Sequence, residues 1–399
     1  MVDTGTRISS LEDALEAVSR VGPVAREWAQ KAEDSRALPA EVVDAIGDAG
    51  LWGVFVPEEL GGAGLVGLSE TFEIIRALAY EDTSAAWGVL ICAGTGGILG
   101  AKLPPEGRAE VFADGLVPTA GVFNPGGGAT PAEGGGVVVN GRWPFGSGVG
   151  YCRWVLANAL RLDESGAPRP GSNGLPDIVA TVVRSDEVTV VDDWFVAGLR
   201  GTGSMTFTMS NVTVPEHRTF SFFAPAVIDA PKYQLPTLTI VGPMFAGMAI
   251  GLAQRAVDEV LGLLPTRVGP PTFEPASLDP VNQARVGASI AAVRGALESC
   301  RGVFARYDAR VAAGEDLRDL SLQERAEVHQ QVVWAGGVCR QAVDELFRLG
   351  GANSIYEPGV LQRTWRDVNV LCQHVYLRET NHTIAGKLAF GLDVVAPLL

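Results

Sequence analysis

A segment patterned for β-structure, set between two long stretches patterned for helix, most constrains this chain. Val137-Val138-Val139 runs into Asn140-Gly141, a dipeptide that predicts a two-residue hairpin turn. Gly126-Gly127-Gly128 and Gly134-Gly135-Gly136 bracket a loop before it. Trp154–Leu162 and Ile178–Val183 are β-rich, and Met205-Thr206-Phe207-Thr208-Met209-Ser210 alternates apolar with polar side chains, the period of a half-buried strand.

Helical signals lie on either side. Ser10 with Asp13 opens one helix, Pro39 to Ala49 forms another with Val42, Val43 and Ile46 on its apolar face, and Leu68 to Tyr80 resumes helical spacing. Downstream, Ser321 and Glu324 form a capping box. Val328, Val332, Ala335, Cys339, Ala342 and Leu346 then recur every three or four residues, which leaves His329 on the polar face, and Gly350-Gly351 closes the helix. A last helix is predicted from Val360 past Tyr376. The pattern predicts an α+β chain, mostly α, with an N-terminal helical domain (1–115), a middle β-barrel or sandwich domain (116–230) and a C-terminal helical bundle (231–399).

Acidic residues outnumber basic ones, 46 to 31. A nucleic acid or an anionic membrane surface therefore finds no basic face to bind. Charged residues make up only 19% of the 399, below the usual ~25%, which predicts a large core or an extensive subunit interface. The apolar run Leu238–Ala253 is shorter than a membrane span and predicts a buried helix. Five scattered cysteines, with no Cys-x-x-Cys pair, fit neither a zinc site nor a disulfide framework. With the polar opening Val2-Asp3-Thr4-Gly5, they predict a cytoplasmic protein. The four histidines form no metal-ligand set.

Four segments invite a chemical reading. Gly94-Thr95-Gly96-Gly97-Ile98-Leu99-Gly100 has Leu99 where a dinucleotide fingerprint needs its last glycine, so close helix packing explains it better. Trp143-Pro144-Phe145-Gly146-Ser147-Gly148 is either a glycine-rich strand exit or a cradle for a flat heterocycle, with aromatic rings to pack it and a hydroxyl to bond a ring heteroatom. Gly198-Leu199-Arg200-Gly201-Thr202-Gly203-Ser204 is either a hairpin turn or a contact for a phosphate or flavin edge. Arg366-Asp367, with His374 seven residues on, is either a salt-bridged helix surface or part of a site.

Together these segments resemble the acyl-CoA dehydrogenase superfamily from Leu38-Pro39 to Phe390-Gly391. The finer resemblance is to its flavin-dependent monooxygenase branch, the two-component hydroxylases. It is carried by Trp143–Gly148, by Gly198–Ser204, and by Leu361-Gln362-Arg363-Thr364-Trp365-Arg366-Asp367 followed by His374. The glutamate base of the dehydrogenases would fall at about Val375, with Glu379 a helical turn beyond, and its alternative position lies within Ile240–Gln254, which holds no Asp or Glu. Val122-Phe123-Asn124-Pro125 replaces the dehydrogenase Thr-Glu-Pro loop.

The resemblance implies an oxidoreductase fed with reduced flavin, FMN or FAD, by a separate reductase. Oxygen adds at flavin C4a, and the hydroperoxide hydroxylates an electron-rich, aromatic or phenolic small molecule. It implies that His374 hydrogen-bonds the substrate oxygen or the hydroperoxide, titrating near neutrality, that Ser147 bonds near flavin N5, and that Tyr376 lines the substrate cavity. Trp87, Val122, Phe123, Phe145, Gly146, Ser147, Arg267, Gly350 and Gly351 would contact the flavin, Arg267 and the two glycines at its phosphate end. The family also implies a homotetramer. Two other readings stand beside it: an FAD-dependent acyl-CoA dehydrogenase-like flavoprotein with a displaced base, and a catalytically silent subunit.

Overall fold

The computed structural model describes residues 8–171, 176–221, 224–269, 273–318 and 320–394; the polar opening at Val2–Gly5 lies outside them. In chain order the elements are α1 (Leu11–Ser35), α2 (Ala40–Asp48), α3 (Leu68–Glu81), α4 (Thr83–Gly88), α5 (Gly94–Lys102), α6 (Pro105–Val111), β1 (Thr119–Pro131), β2 (Val137–Gly146), β3 (Trp154–Arg161), β4 (Ile178–Arg184), β5 (Thr189–Val191), β6 (Met205–Val214), β7 (Thr219–Phe220), α7 (Thr237–Leu263), α8 (Pro280–Ala312), α9 (Leu322–Leu349), α10 (Val360–Leu371) and α11 (His382–Ala389). The chain has the acyl-CoA dehydrogenase-like fold, mostly helical with one mixed sheet. It gathers into two compact units: 1–66, 87–195 and 200–234 in one, and 67–86, 196–199 and 235–399 in the other.

The first unit is built on a seven-stranded sheet in the order β5-β6-β2-β1-β3-β4-β7. β1 and β3 run parallel, and the other neighbours are antiparallel. Both faces are covered. Val122, Val139, Trp143, Val155 and Phe207 belong to one apolar cluster, while Trp154, Leu156 and Val182 pack with Leu99 of α5 and Val111 of α6 in another. Gly94–Gly100 lies within α5, where a Cβ on Gly97 would come within 2.8 Å of the Phe55 carbonyl oxygen. Close packing, not a nucleotide loop, accounts for those glycines.

The Asn140-Gly141 hairpin turn does not form. Both residues lie inside β2, paired with Gly128 and Gly127 of β1, and the chain reverses at 132–136 instead. The cause is the Trp143 ring, which is fully buried, donates from Nε1 to the Asn158 carbonyl at 2.7 Å and stacks on Phe207 at 5.4 Å. A Cβ on Gly127 would meet that ring at 2.7 Å. The glycines of β1 are therefore the floor on which Trp143 lies, and Asn140 serves the β2–β6 bulge by accepting from the Asn211 amide at 2.7 Å.

The second unit is helical. α7 carries the run Leu238–Ala253 buried almost throughout, against α3 and α9. It is long and apolar enough to cross a membrane, but most of it is buried inside the protein, as expected of a core helix. Arg76 of α3 bonds Gln254 of α7 at 2.8 Å. The capping box of α9 forms as predicted, Ser321 and Glu324 each accepting the other's backbone amide. α10 ends at Leu371, before His374, and the chain tightens through Gln373 N–H to Val370 O and His374 N–H to Leu371 O. His374 thus sits in a turn, where its ring is released from the helical row that the seven-residue spacing implied. The five cysteines are free thiols.

Candidate functional site

Two constellations carry chemistry, one in each unit. In the sheet unit, β2 ends at Gly146 and the chain turns sharply. Phe145 takes a left-handed backbone (φ 65°), and the Ser147 amide donates back to the Phe145 carbonyl at 2.9 Å. The turn sends the Ser147 side chain inward to 3% exposure while the Phe145 ring stays outside at 68%, edge-on to Trp194. Trp87 of α4 donates from its indole nitrogen to Ser147 Oγ at 2.9 Å. Ser147 Oγ also lies 2.7 Å from Ser204 Oγ, which lies 2.7 Å from Thr202 Oγ1.

This row of three buried hydroxyls joins the Trp143–Gly148 and Gly198–Ser204 segments. The signal in sequence for Ser204 and Thr202 is no more than the two hydroxyls of the second segment. Because the indole can only donate, Ser147 uses one lone pair on Trp87. The Ser147–Ser204 bond can run either way, so Ser147 is able to offer a ligand atom either a proton or a lone pair. Val122, buried, and Phe123, half-buried, flank the place where the β1–β3 register breaks; the Phe123 carbonyl there accepts from Asn158 Nδ2 at 2.7 Å.

In the helical unit, His374 and Tyr376 pack together on Phe245 of α7. The His374 ring stacks on Phe245 at 4.5 Å and the Tyr376 ring at 5.3 Å. Tyr376 is 3% exposed, and its hydroxyl donates to the Leu238 carbonyl at 2.9 Å. His374 is half-buried, and Nδ1 accepts the Tyr376 backbone N–H at 3.3 Å. A ring nitrogen that accepts carries no proton, so the His374 proton is on Nε2. Desolvation of the ring pushes its pKa down to about 4, with the Arg378 cation adding to the effect. The histidine is a neutral Nε2–H donor at pH 7, not a group titrating near neutrality. His329, predicted on a polar face, is buried behind this pair, where its Nε2 meets the Tyr376 carbonyl at 3.1 Å.

The other expected contacts fall into groups. Asp367, 1% exposed, accepts the Leu199 amide at 2.7 Å, and Arg366 donates to the Ala197 carbonyl at 2.8 Å, so the Arg-Asp pair fastens the start of the Gly198–Ser204 segment. Arg267 donates to the Leu349 carbonyl beside Gly350, and a Cβ on Gly351 (φ 66°) would come within 2.8 Å of its Nη1. Arg267, Gly350 and Gly351 therefore meet, with one guanidinium nitrogen engaged by the Leu349 carbonyl. At about Val375, where the resemblance puts a dehydrogenase base, the chain has no carboxylate, and Glu379, a helical turn beyond, is paired with Arg340 at 2.8 Å.

Comparison with known proteins identifies the family. Residues 14–101 match the acyl-CoA dehydrogenase N-terminal domain and residues 243–379 the C-terminal domain, together more than half of the chain. A pigment production hydroxylase of a Rhodococcus species is 28% identical, over 97% of this chain and 98% of its own. The oxygenase subunit HsaA of a flavin-dependent monooxygenase from Mycobacterium tuberculosis is 28% identical over 96% of each. The structure of XiaF from Streptomyces, in complex with FADH2 and glycerol, superposes with a TM-score of 0.89 at 26% identity, covering 98% of both chains. The chain belongs to the acyl-CoA dehydrogenase superfamily, in its flavin-dependent monooxygenase branch.

Proposed function

We propose that this chain is the oxygenase component of a two-component monooxygenase. It takes reduced FMN or FAD from a separate reductase and, with O2, hydroxylates an electron-rich, aromatic or phenolic small molecule. One observation carries the reading: beside Val375, where the resemblance puts the carboxylate that takes a dehydrogenase substrate's α-proton, this chain has the imidazole of His374, whose Nδ1 accepts the Tyr376 amide and which therefore holds its proton on Nε2. Such a donor suits a phenol or phenolate oxygen, which can accept.

The bound flavin supplies the activation of dioxygen. Ser147, aligned by Trp87 and Ser204, would offer the flavin ring a hydrogen bond. Arg267 beside Gly350-Gly351 would supply positive charge to its phosphate. His374 orients the substrate oxygen by donation, and Tyr376 supports His374 from the protein side, because its hydroxyl is committed to Leu238. We also propose a homotetramer, which exposed Val268, Phe273, Leu278 and Val281 of the helical unit would help to bury. Light scattering that shows only a ~42 kDa species at micromolar concentration would refute that assembly.

The test of function is an anaerobic titration with FMNH2 and FADH2, followed by oxygen and a panel of phenols, with product and hydrogen peroxide both counted. Hydroxylated product from reduced flavin alone supports the reading. Flavin reduction by an acyl-CoA, with no hydroxylation of any phenol, would overturn it.

A further inference from the structure

We propose that His329 is a positioning residue: by donating to the Tyr376 carbonyl it holds the 374–376 turn in the shape that fixes His374 as the Nε2-protonated tautomer. The inference rests on the substrate-side role given to His374 above, and it deepens that role.

The turn is unusual in how it is held. The His374 ring accepts the amide two residues ahead through Nδ1, as the side chain of an Asx-turn would. That bond survives only while the Tyr376 backbone keeps its orientation. The Tyr376 carbonyl takes two donors, His329 Nε2 at 3.1 Å and Asn381 Nδ2 at 3.1 Å, and Asn381 also donates to the Val375 carbonyl at 2.8 Å. The carbonyl can only accept, so His329 is itself protonated on Nε2. Its ring stands edge-on to the Tyr376 ring, 4.4 Å between centroids. The Tyr376 ring is sandwiched against Phe245, and its hydroxyl is tied to Leu238. Of these supports, Asn381 lies only five residues on, at the end of the short turn Glu379–Asn381. His329 comes from the first third of α9, flanked by the buried Val328, Val332 and Val333, and so references the turn to the helical core.

An imidazole among valines is a costly choice for packing alone, since a polar ring loses its water there. An apolar side chain would fill the space, but it would leave the Tyr376 carbonyl with Asn381 as its one remaining side-chain donor and no tie to α9. The consequence for chemistry is directional. With Nδ1 occupied, His374 meets its ligand with a donor only, so the ligand atom it selects must be an acceptor. That favours phenolates, carbonyls and hydroxyl lone pairs over N–H groups.

Histidine-labelled protein, which holds only four histidines, tests this by ¹⁵N NMR without flavin, with His374 assigned by a His374→Gln variant. The wild type should show His374 protonated on Nε2; an Nδ1-protonated ring would overturn the proposal with no variant needed. His329→Phe keeps an aromatic edge on Tyr376 but deletes the donor, and it should convert His374 to a mixture of tautomers. His329→Gln, which restores an amide donor, should recover the single form. With reduced flavin and a phenol, His329→Phe should lower product per flavin oxidised about two- to twelvefold, the worth of one hydrogen bond, while flavin affinity stays within twofold. A folded His329→Phe protein with an unchanged tautomer would refute the positioning role. A changed tautomer with unchanged product yield would leave the positioning intact and remove His374 from the reaction.

Discussion

The Trp87 indole nitrogen donates to Ser147 Oγ at 2.9 Å, with both side chains buried, so the direction of one of the serine's hydrogen bonds is fixed by a group that cannot accept. What remains to Ser147 is one lone pair and one proton, shared between Ser204 and a ligand. Trp87→Phe keeps the ring and removes the donor. Reduced-flavin affinity, measured by anaerobic fluorescence titration, should weaken about two- to twelvefold, as expected for one hydrogen bond of about 0.5–1.5 kcal/mol. Ser147→Ala should weaken it by at least as much. Wild-type affinity in both folded variants would take this pair out of the flavin site.

His374 is neutral and, on the function proposed above, meets the substrate and not the flavin phosphate. His374→Ala should therefore uncouple the enzyme rather than empty it. We expect flavin affinity within twofold of wild type and product per reduced flavin down by tenfold or more, with hydrogen peroxide making up the difference. The bond alone accounts for about two- to twelvefold, and any further loss, up to ~10²–10⁴, measures proton transfer. Product yield at the wild-type level would exclude His374 from the site.

What the sequence could reveal followed from period and composition. The helix of Leu238–Ala253, the capping box at Ser321 and the strand at Met205 all carry local signals that tertiary packing did not override. Asn140-Gly141 failed because its local hairpin preference was outweighed by the burial of Trp143, a long-range demand on Gly126 and Gly127 that no window around Asn140 contains. His329 was misplaced for a similar reason: its polarity is answered by the Tyr376 carbonyl, 47 residues away. The heptad from Asp367 to His374 suggested one helix face, but α10 stops at Leu371, and the tautomer that matters arises in the turn. Resemblance could nominate Ser147 and His374; only geometry shows which atoms of each are already engaged.

Trp143 on its glycine floor yields a stability prediction. Gly127→Ala would place a Cβ 2.3 Å from the Asn140 carbonyl oxygen and 2.7 Å from the Trp143 ring. Overpacking of this kind typically costs about 1–3 kcal/mol. Gly150→Ala is the control, since nothing lies within 4 Å of its added Cβ. Urea unfolding should show the midpoint lowered for Gly127→Ala and nearly unmoved for Gly150→Ala. Equal midpoints would mean that the strand relaxes around the ring.

Two of the histidines of the helical unit, His329 and His374, set how stability depends on acid. Burial pushes His329 down to about 4, and ring desolvation does the same to His374; an unfolded histidine titrates near 6.5. Between those values the unfolded chain binds more protons than the folded one, so unfolding free energy rises with pH across that window and is lost as pH falls through it. For His329, 2% exposed, the full effect is at most about 3 kcal/mol; His374, half-buried, adds less. Denaturant midpoints measured from pH 4 to pH 7.5 should therefore fall on acidification, beginning near pH 6.5, above the range where carboxylates protonate. In His329→Phe the fall between pH 6.5 and pH 5 should become shallower, even though its midpoint at pH 7 is lower for want of the Tyr376 bond. A slope in that interval identical to that of the wild type would mean that His329 reaches water when it charges, and that the turn it holds opens without unfolding the core.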